Sequence, residues 1–238
     1  MVRYEFKYTF PLEQFNAILH TVKNHSAMFH EIYHERQVNN IYLDTDNFDN
    51  YYANVNGVGN REKFRIRWYG ALFGAVQHPV LEVKRKFGLV GDKKSYPLSP
   101  FDTHENFSAF AIRESIRAYL PEKDGPGSEK NHFLSRAMYQ KPAITNHYQR
   151  RYFMSADHRY RITLDYDIQY HKVDSAAIDP SSIHEDRLVM ELKFDRESCI
   201  DLNEFMLNFN VRNTRNSKYV NGINAIYLHQ LGNNHVNL

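Results

Sequence analysis

Arginine and lysine recur at alternate positions of one short segment, where together they could bind an anion. The segment contains Arg65 and Arg67, with Arg61 and Lys63 at the same spacing before them. Alternate side chains of a β-strand point to one face of the sheet, so these cations should share a face opposite the apolar residues between them. Arginine can hold phosphate oxygens with two hydrogen bonds, and lysine acts as a point charge. The spacing therefore indicates a phosphate-binding strand.

The same alternation of charged and apolar residues returns in four further segments. Their charged residues are Arg3, Glu5 and Lys7; Glu82, Lys84 and Lys86; Arg159, Arg161 and Asp165; and Glu191 and Lys193. For any one strand, the alternative of a polar face that is only the solvated side of a half-buried sheet stays open. Five strands in the same phase instead favour charged faces enclosed in a tunnel. Such cations require an anionic occupant, for which polyphosphate is suited, and the carboxylates could hold a divalent metal that bridges phosphate oxygens.

The elements that must position these charges are mostly β-strands. Alternation predicts strands at Val2–Phe10, Val38–Leu43, Arg61–Tyr69, Val80–Phe87, Gly91–Leu98, Ile144–Met154, Tyr160–Tyr170 and Arg187–Phe194. Helical spacing predicts helices at Pro11–Phe29, Asp46–Val55, Thr103–Leu120, Asp201–Leu207 and Asn216–Leu231. The stretch Pro121–Lys130, rich in Gly, Pro and charge, is expected to be a surface loop. Antiparallel strands with helices packed around them predict an α+β fold built on a large sheet or a closed barrel.

Composition excludes several classes of protein. The 238 residues, of which 42% are hydrophobic, suffice for a domain with a sizeable core, and no apolar run approaches the roughly 18–20 residues of a membrane span. The one cysteine, Cys199, excludes an intrachain disulfide and a cysteine-based zinc site. The net charge of +2 is not the basic surplus of a typical nucleic-acid binder. The charged, alternating N-terminus does not resemble a signal peptide, so a cytoplasmic protein is expected.

Nine segments in chain order form one set. They are RYEFKYTF (Arg3–Phe10), NNIYLDTDNFDNYY (Asn39–Tyr52), KFRIRWYG (Lys63–Gly70), LEVKRK (Leu81–Lys86), DKKSYPL (Asp92–Leu98), YQRRYF (Tyr148–Phe153), YRITLDYD (Tyr160–Asp167), VMELKF (Val189–Phe194) and RNSKYVNGI (Arg215–Ile223). The ordered set resembles the VTC-type polyphosphate polymerase domain, within the wider group of triphosphate tunnel metalloenzymes. The resemblance implies a single domain over residues 1–238, built as an eight-stranded antiparallel β tunnel barrel with flanking α-helices. It further implies transfer of the terminal phosphoryl group of ATP to a growing polyphosphate chain with Mn²⁺ or Mg²⁺.

The resemblance also implies which residues act. The triphosphate and its metal would be handled by Arg65, Arg67, Lys84, Arg161 and Glu191. Further phosphate-binding cations would be Lys7, Arg150, Arg215, Lys218 and one of Lys93 and Lys94, since the doublet leaves the phase of that strand open. Glu191 matches the metal-ligand glutamate of the family, and Glu5 and Glu82 could support the metal or orient neighbouring cations. Arg215 stands where the family commonly has a lysine, so the charge is kept and the hydrogen-bonding geometry differs.

Several alternatives remain open on the sequence. If water replaces the terminal phosphate as the attacking group, the same site becomes a tripolyphosphatase, and Glu5 or Glu82 could orient that water. The main non-enzymatic alternative is a polyphosphate- or nucleotide-binding module. RNA binding is disfavoured because it needs an open groove with exposed aromatics, so ATP and inorganic polyphosphate are the expected partners and nucleic acid is not. The chain resembles the free-standing bacterial form, for which a separate membrane-protein partner stays open.

Overall fold

The structure, a computed structural model, describes residues 3–88, 90–104, 107–118, 129–174, 176–195, 209 and 213–233. Its strands are β1 (Arg3–Pro11), β2 (His30–Asp44), β3 (Asn60–Tyr69), β4 (Ala75–Val76), β5 (Val80–Phe87), β6 (Val90–Pro97), β7 (Phe101–Asp102), β8 (Lys141–Met154), β9 (Tyr160–Lys172), β10 (Ile183–Glu185) and β11 (Arg187–Asp195). Its helices are α1 (Phe15–Lys23), α2 (Asp49–Val55), α3 (Ala109–Arg117), α4 (Glu129–Met138) and α5 (Lys218–Asn233). Among the described residues, no helix has the length and apolarity needed to cross a membrane.

One large sheet contains nearly all the strands. Its order is β1-β11-β9-β8-β2-β3-β5-β6, with β10 paired to β9, while β4 and β7 form a separate two-stranded sheet. The pairs β1–β11, β11–β9, β2–β3, β3–β5 and β5–β6 are all antiparallel. The predicted α+β fold is therefore confirmed, with a mostly antiparallel sheet whose path runs through eight strands. Within the described part of the chain, hydrogen bonds do not close this path between β1 and β6.

The chain divides into two compact units, of which the first comprises Met1–Gln37, Tyr148–Ile168 and His184–Ser217. In this unit the alternation of β1, β9 and β11 separates an apolar face from a charged face. The apolar face contributes the buried side chains Tyr8, Phe10, Ile162, Leu164, Met190 and Leu192 to one core cluster. Burial of these side chains fixes the phase of each strand, because a one-residue slip would exchange the two faces.

The second unit comprises Val38–His147, Gln169–Ile183 and Lys218–Leu238. Strands β3, β5 and β6 run as consecutive antiparallel neighbours, and β2 pairs with β3. Their apolar face contributes the buried side chains Ile41, Leu43, Phe64, Ile66, Leu81 and Val83 to a second core cluster. Helix α3 adds Ile112 and Ile116 to this cluster, and its first turn is capped by Ser108, whose hydroxyl accepts from Ala111 N at 3.0 Å.

The structure corrects the predicted boundaries of helix α1 and of the surface loop after α3. Helix α1 ends at Lys23 rather than Phe29, because the Asn24 side chain donates to the His20 carbonyl at 2.9 Å and strand β2 begins at His30. Of the expected surface loop, residues 121–128 lie outside the described residues, whereas Glu129 begins α4, a helix that the sequence did not predict. The predicted helix at Asp201–Leu207 also lies outside the described residues.

Candidate functional site

A buried carboxylate in the second unit, that of Glu82, lies among basic side chains. Arg65 stands opposite it in the β3–β5 register and donates from Nε to Glu82 Oε2 at 2.6 Å, and Arg67 Nη1 lies 3.7 Å from the same oxygen. Lys93 Nζ donates to Glu82 Oε1 at 2.5 Å. Lys84, two residues from Glu82 on β5, is exposed on the same face. We call Arg65, Arg67, Glu82, Lys84 and Lys93 the Glu82 face.

The β5–β6 register decides which lysine of the doublet belongs to this face. Lys93 lies opposite Lys84 and bonds to the shared carboxylate, whereas Lys94 lies opposite the buried Val83. Lys94 Nζ is 4.0 Å from Asp92 Oδ2, on the face that carries the core. Lys93 is therefore the lysine of the doublet that shares a face with Glu82, a choice that the sequence left open.

Electrostatics keep Glu82 ionised. Burial alone would raise the pKa of its carboxyl, but Arg65, Arg67 and Lys93 outweigh burial and hold that pKa well below the usual range. The side chain of Glu82 is 8% exposed and that of Lys93 is 50% exposed. An anion arriving from solvent can therefore reach the lysine and compete with the carboxylate for it.

A second charged cluster lies in the first unit, around Glu191. Its Oε1 is 2.6 Å from Lys193 Nζ and its Oε2 is 3.8 Å from Lys7 Nζ, the lysine opposite it in the β1–β11 register. Lys7 Nζ is also 3.4 Å from Glu5 Oε1. Arg161, opposite Lys193 in the β9–β11 register, is exposed. We call Glu5, Lys7, Arg161, Glu191 and Lys193 the Glu191 face.

Glu191 is held in its charged form by the surrounding cations. Burial would raise the pKa of its carboxyl, but Lys7, Lys193 and Arg150 lower it well below its ordinary value. Lys7 is fixed in turn, because its Nζ donates to the backbone carbonyl of Asn216 at 3.2 Å. The Glu191 face therefore combines an ionised carboxylate with positioned ammonium groups.

Arg150, a predicted phosphate ligand, forms a two-bond ion pair with the buried Asp165. Its Nε donates to Asp165 Oδ1 at 2.5 Å and its Nη2 donates to Oδ2 at 2.7 Å. Burial would lower the pKa of Arg150, but Asp165 raises it well above the ordinary value. Asp165 occupies this edge of the guanidinium. Arg150 therefore acts on its surroundings through its positive charge, which helps to lower the pKa of Glu191.

Lys218 is the first residue of α5, and the side chain next to it fixes that helix end. The Tyr219 hydroxyl donates to Asp44 Oδ2. Asp44 also accepts from Asn50 N at 2.9 Å and from Tyr51 N at 3.0 Å, at the start of α2. The buried carboxylate thus joins the first turns of two helices. Lys218 itself is half-buried.

Arg215 is exposed in the segment that precedes α5. Its assignment as a phosphate ligand stays a prediction. Two partners of the predicted residues were not assigned from the sequence, Lys193 beside Glu191 and Asp165 beside Arg150. Both lie on the charged faces of their strands, so alternation was the feature of the sequence that could have indicated them.

Oxygen ligands suitable for a divalent metal are present on the Glu191 face. Glu5 and Glu191 both lie beside Lys7. Mg²⁺ is commonly held by one or two carboxylates together with water and substrate phosphates, so this pair fits such an ion. Within the described ranges, no group of three or more His, Cys, Asp or Glu side chains could hold a metal. Both oxygens of Glu82 are bonded to cations instead, which favours the orienting role that the sequence left open for it.

In a comparison with protein families, the VTC domain model matches residues 2–227. The chain belongs to the VTC domain family. This confirms the family resemblance of the sequence segments. A sequence comparison with functionally curated proteins finds no match to this VTC-domain chain.

Solved structures are similar to this VTC-domain chain at low sequence identity. A candidate adenylate cyclase from Bacillus halodurans is 14% identical, with a TM-score of 0.53 over 95% of this chain and 97% of that one. One from Vibrio parahaemolyticus is 12% identical, with a TM-score of 0.49 over 92% and 97% of the two chains. A candidate adenylyl cyclase from Hippeastrum, described as having a dominant triphosphatase activity, is 14% identical, with a TM-score of 0.45 over 97% and 96%.

Proposed function

We propose that this protein is a polyphosphate polymerase, which transfers the γ-phosphoryl group of ATP to the end of a growing polyphosphate chain. Membership of the VTC domain family supports a phosphate-chain substrate. The observation that carries the proposal is the Glu82 face, where three cations converge on one buried carboxylate. Cations held in fixed places at alternate strand positions match the repeating negative charge of a phosphate chain.

The chemistry required is modest, since phosphoryl transfer depends mainly on positioning and charge neutralisation. A terminal oxygen of the polyphosphate chain attacks the γ-phosphorus of ATP. The bond from that phosphorus to the β–γ bridging oxygen breaks, and ADP leaves with the electron pair of that bond. No general base is needed, because the attacking phosphate oxygen is already ionised.

The residues of each face have separate proposed roles. Arg65, Arg67 and Lys84 bind the triphosphate oxygens, and Lys93 joins them when it leaves Glu82. On the other face, Arg161 binds phosphate oxygens and Lys7 guides the phosphate chain. Arg150 contributes its permanent charge, and Lys218 offers an ammonium group at the start of α5.

A divalent ion, Mn²⁺ or Mg²⁺, would when bound neutralise part of the negative charge of the phosphate groups. Glu191 and Glu5 are the proposed residues to hold it. Glu191→Gln should weaken metal-dependent turnover more than metal-free tripolyphosphate binding. An equal loss of both would show that Glu191 has a structural role instead.

The test is incubation of the purified protein with ATP and Mn²⁺, followed by gel electrophoresis with staining for polyphosphate. A ladder of polyphosphate with stoichiometric ADP supports the polymerase. Orthophosphate released from ATP or tripolyphosphate without a ladder overturns it in favour of the hydrolase. Triphosphate binding without turnover, in the presence of Mn²⁺ and polyphosphate primer, overturns it in favour of a binding module.

A matched pair of variants connects the activity to the Glu82 face. Arg65→Ala removes a cation from that face and should abolish triphosphate binding, and it should also lower fold stability because the buried Glu82 carboxylate loses one of its partners. Arg117→Ala removes the same charge from the exposed surface of α3, where its side chain is 62% exposed and pairs with Glu114. The control should bind triphosphate as the parent does. Full affinity in Arg65→Ala would contradict the assignment of this face.

A further inference from the structure

A chain of hydrogen bonds in the second unit leads from the Glu82 face to a neutral amide. Arg67 donates from Nε to Asn40 Oδ1 at 2.9 Å. Asn40 donates from Nδ2 to Asn146 Oδ1, also at 2.9 Å. Asn40 stands opposite Arg67 in the β2–β3 register, so the chain crosses from β3 through β2 to β8 on the face that carries Arg67.

The chain has a direction that the charge of Arg67 imposes. A guanidinium is only a donor, so Asn40 must present its oxygen to Arg67 and its amino group to Asn146. Asn146 must then accept with its oxygen, and its own Nδ2 is turned away from the chain. Both amides are fully buried, which leaves neither free to rotate into solvent. The orientation of the Asn146 carboxamide is therefore set from the Glu82 face.

The donor at the end of this chain is unused within the described part of the protein. Asn146 Nδ2 is buried there and has no hydrogen-bond partner among the described residues. Leaving a buried donor unsatisfied is unfavourable, and a bound molecule can supply the missing acceptor. An apolar side chain of similar volume would avoid that cost. The Asn146 amino group thus lacks an acceptor among the described residues, and it lies on the face that carries the cations proposed to bind phosphate.

We propose that the Asn146 carboxamide donates a hydrogen bond to an oxygen of the phosphoryl group bound by Arg67, with Asn40 fixing its orientation. The inference rests on the proposed function, because it takes the Glu82 face as the phosphate site. It adds a neutral, directional contact to a set of cations. Ammonium and guanidinium groups attract any polyanion, whereas an oriented amide N–H selects an acceptor oxygen at one place.

The test is the affinity for tripolyphosphate, measured by calorimetry. EDTA is present to remove metal ions, so that the measurement compares binding by the protein's own residues. Asn146→Leu should lower the affinity about tenfold, the value of one hydrogen bond to a charged group. The matched control is Thr145→Val at the neighbouring position, where a buried hydroxyl also has no partner among the described residues. Thr145 points to the opposite face of β8 by alternation, so its variant should bind as the parent does.

A second readout separates a direct contact from a structural one. Loss of a neutral donor should leave the dependence of affinity on salt unchanged, whereas displacement of Arg67 would weaken that dependence, because fewer cations would meet the anion. The affinity of Asn146→Leu should therefore lie below that of the parent by the same factor at every salt concentration. Unchanged affinity, or a weaker salt dependence in this variant, would overturn the inference.

Asn40→Asp tests the orientation without altering the amide itself. The new carboxylate still accepts from Arg67 but offers no donor to Asn146. The Asn146 carboxamide should then rotate so that its amino group donates to this carboxylate. The amide oxygen would face the phosphate, and affinity should fall by at least the factor seen for Asn146→Leu. Affinity equal to that of the parent would overturn the orienting role proposed for Asn40.

Folding and the proposed function are controlled in the same experiment. Asn146→Asp has the shape of the parent and serves if Asn146→Leu does not fold; it should lower affinity by more than about tenfold, because an anion replaces the donor. If the parent binds tripolyphosphate and these variants bind equally well, the inference alone fails. If the parent binds none, with EDTA or with Mn²⁺, the proposed function fails as well.

Discussion

Arg65 and Glu82 stand opposite each other on β3 and β5, with Arg65 Nη2 2.6 Å from Glu82 Oε2. The proposed phosphate ligand therefore already has an anion beside it. The same holds on the Glu191 face, where Lys193 and Lys7 flank a carboxylate. In both places an internal carboxylate keeps like charges close together and in fixed positions, which would otherwise repel one another.

Glu82→Gln should raise the affinity for tripolyphosphate and lower the stability of the fold. Without the carboxylate, Arg65 and Lys93 no longer have an internal competitor for phosphate, but their mutual repulsion is uncompensated. We expect a loss of about 2 kcal/mol in the free energy of unfolding, measured by urea denaturation. Calorimetry with tripolyphosphate gives the affinity.

The control for this variant is Asp92→Asn, which removes the carboxylate that pairs with Arg85 at 2.5 Å on the opposite face of the same hairpin. It should leave the affinity for tripolyphosphate unchanged. If Glu82→Gln stays folded and binds more weakly than the parent, the carboxylate organises the cations for phosphate rather than competing with it.

Glu191 should make the stability of the protein depend on pH in the acid range. Its pKa is lowered in the folded state, so its contribution is fully present above the pKa of an unfolded glutamate, about 4.3, and is lost as the pH falls below that value. Urea denaturation at about pH 6 and about pH 3 should show a larger loss of stability in the parent than in Glu191→Gln. Glu13→Gln, at an exposed position before α1, should behave as the parent does.

Tyr219→Phe should loosen the start of α5. The buried Asp44 carboxylate would lose the hydroxyl donor and keep its backbone donors, Asn50 N among them. The expected loss is about 1–3 kcal/mol in the free energy of unfolding, by urea denaturation. Tyr227→Phe removes a half-buried hydroxyl that donates to the Ala143 carbonyl at 3.2 Å, and should cost less. Equal losses would mean that Asp44 does not depend on Tyr219.

Gly222→Ala should destabilise α5 although alanine favours helices. A Cβ at this position would contact the Ile144 side chain and lie 2.6 Å from Tyr170 Cδ1, so the tyrosine ring would have to move. Overpacking of this kind costs about 1–3 kcal/mol, against a gain of about 1 kcal/mol in helix propensity. Gly59→Ala, with nothing within 4 Å of its Cβ, is the control. A thermal melt in which Gly222→Ala equals the parent would contradict the close packing.

Alternation along the strands predicted most of the sheet and the residues that share its charged faces. It worked for Arg65 and Glu82 because the apolar residues between the charges are buried, and burial fixes the phase of a strand. It could not decide between Lys93 and Lys94, since either lysine could have faced the charged side. Only pairing with β5 distinguishes them, and sequence does not give the register of a neighbouring strand.

Other features had no signal of this kind. The first part of β2 is polar on both faces, as at Glu35 and Arg36, and therefore lacks an alternating pattern. Helix α4 begins within a stretch whose Gly, Pro and charge composition is typical of a loop. Asn40 and Asn146 are neutral residues of a type that is depleted in strands, so the sequence did not indicate them. Their hydrogen bond joins two strands that lie far apart in the chain.

The pairing of Glu82 with its cations also connects anion binding to proton uptake. An anion that draws Lys93 and Arg65 away from Glu82 leaves a buried carboxylate facing negative charge. The affinity of that carboxylate for a proton must then rise, because the cations that kept it ionised now serve the anion. By thermodynamic linkage, whatever protonates Glu82 must favour the anion in return. The face thus exchanges one anion for another, and a proton from solvent can accompany the exchange.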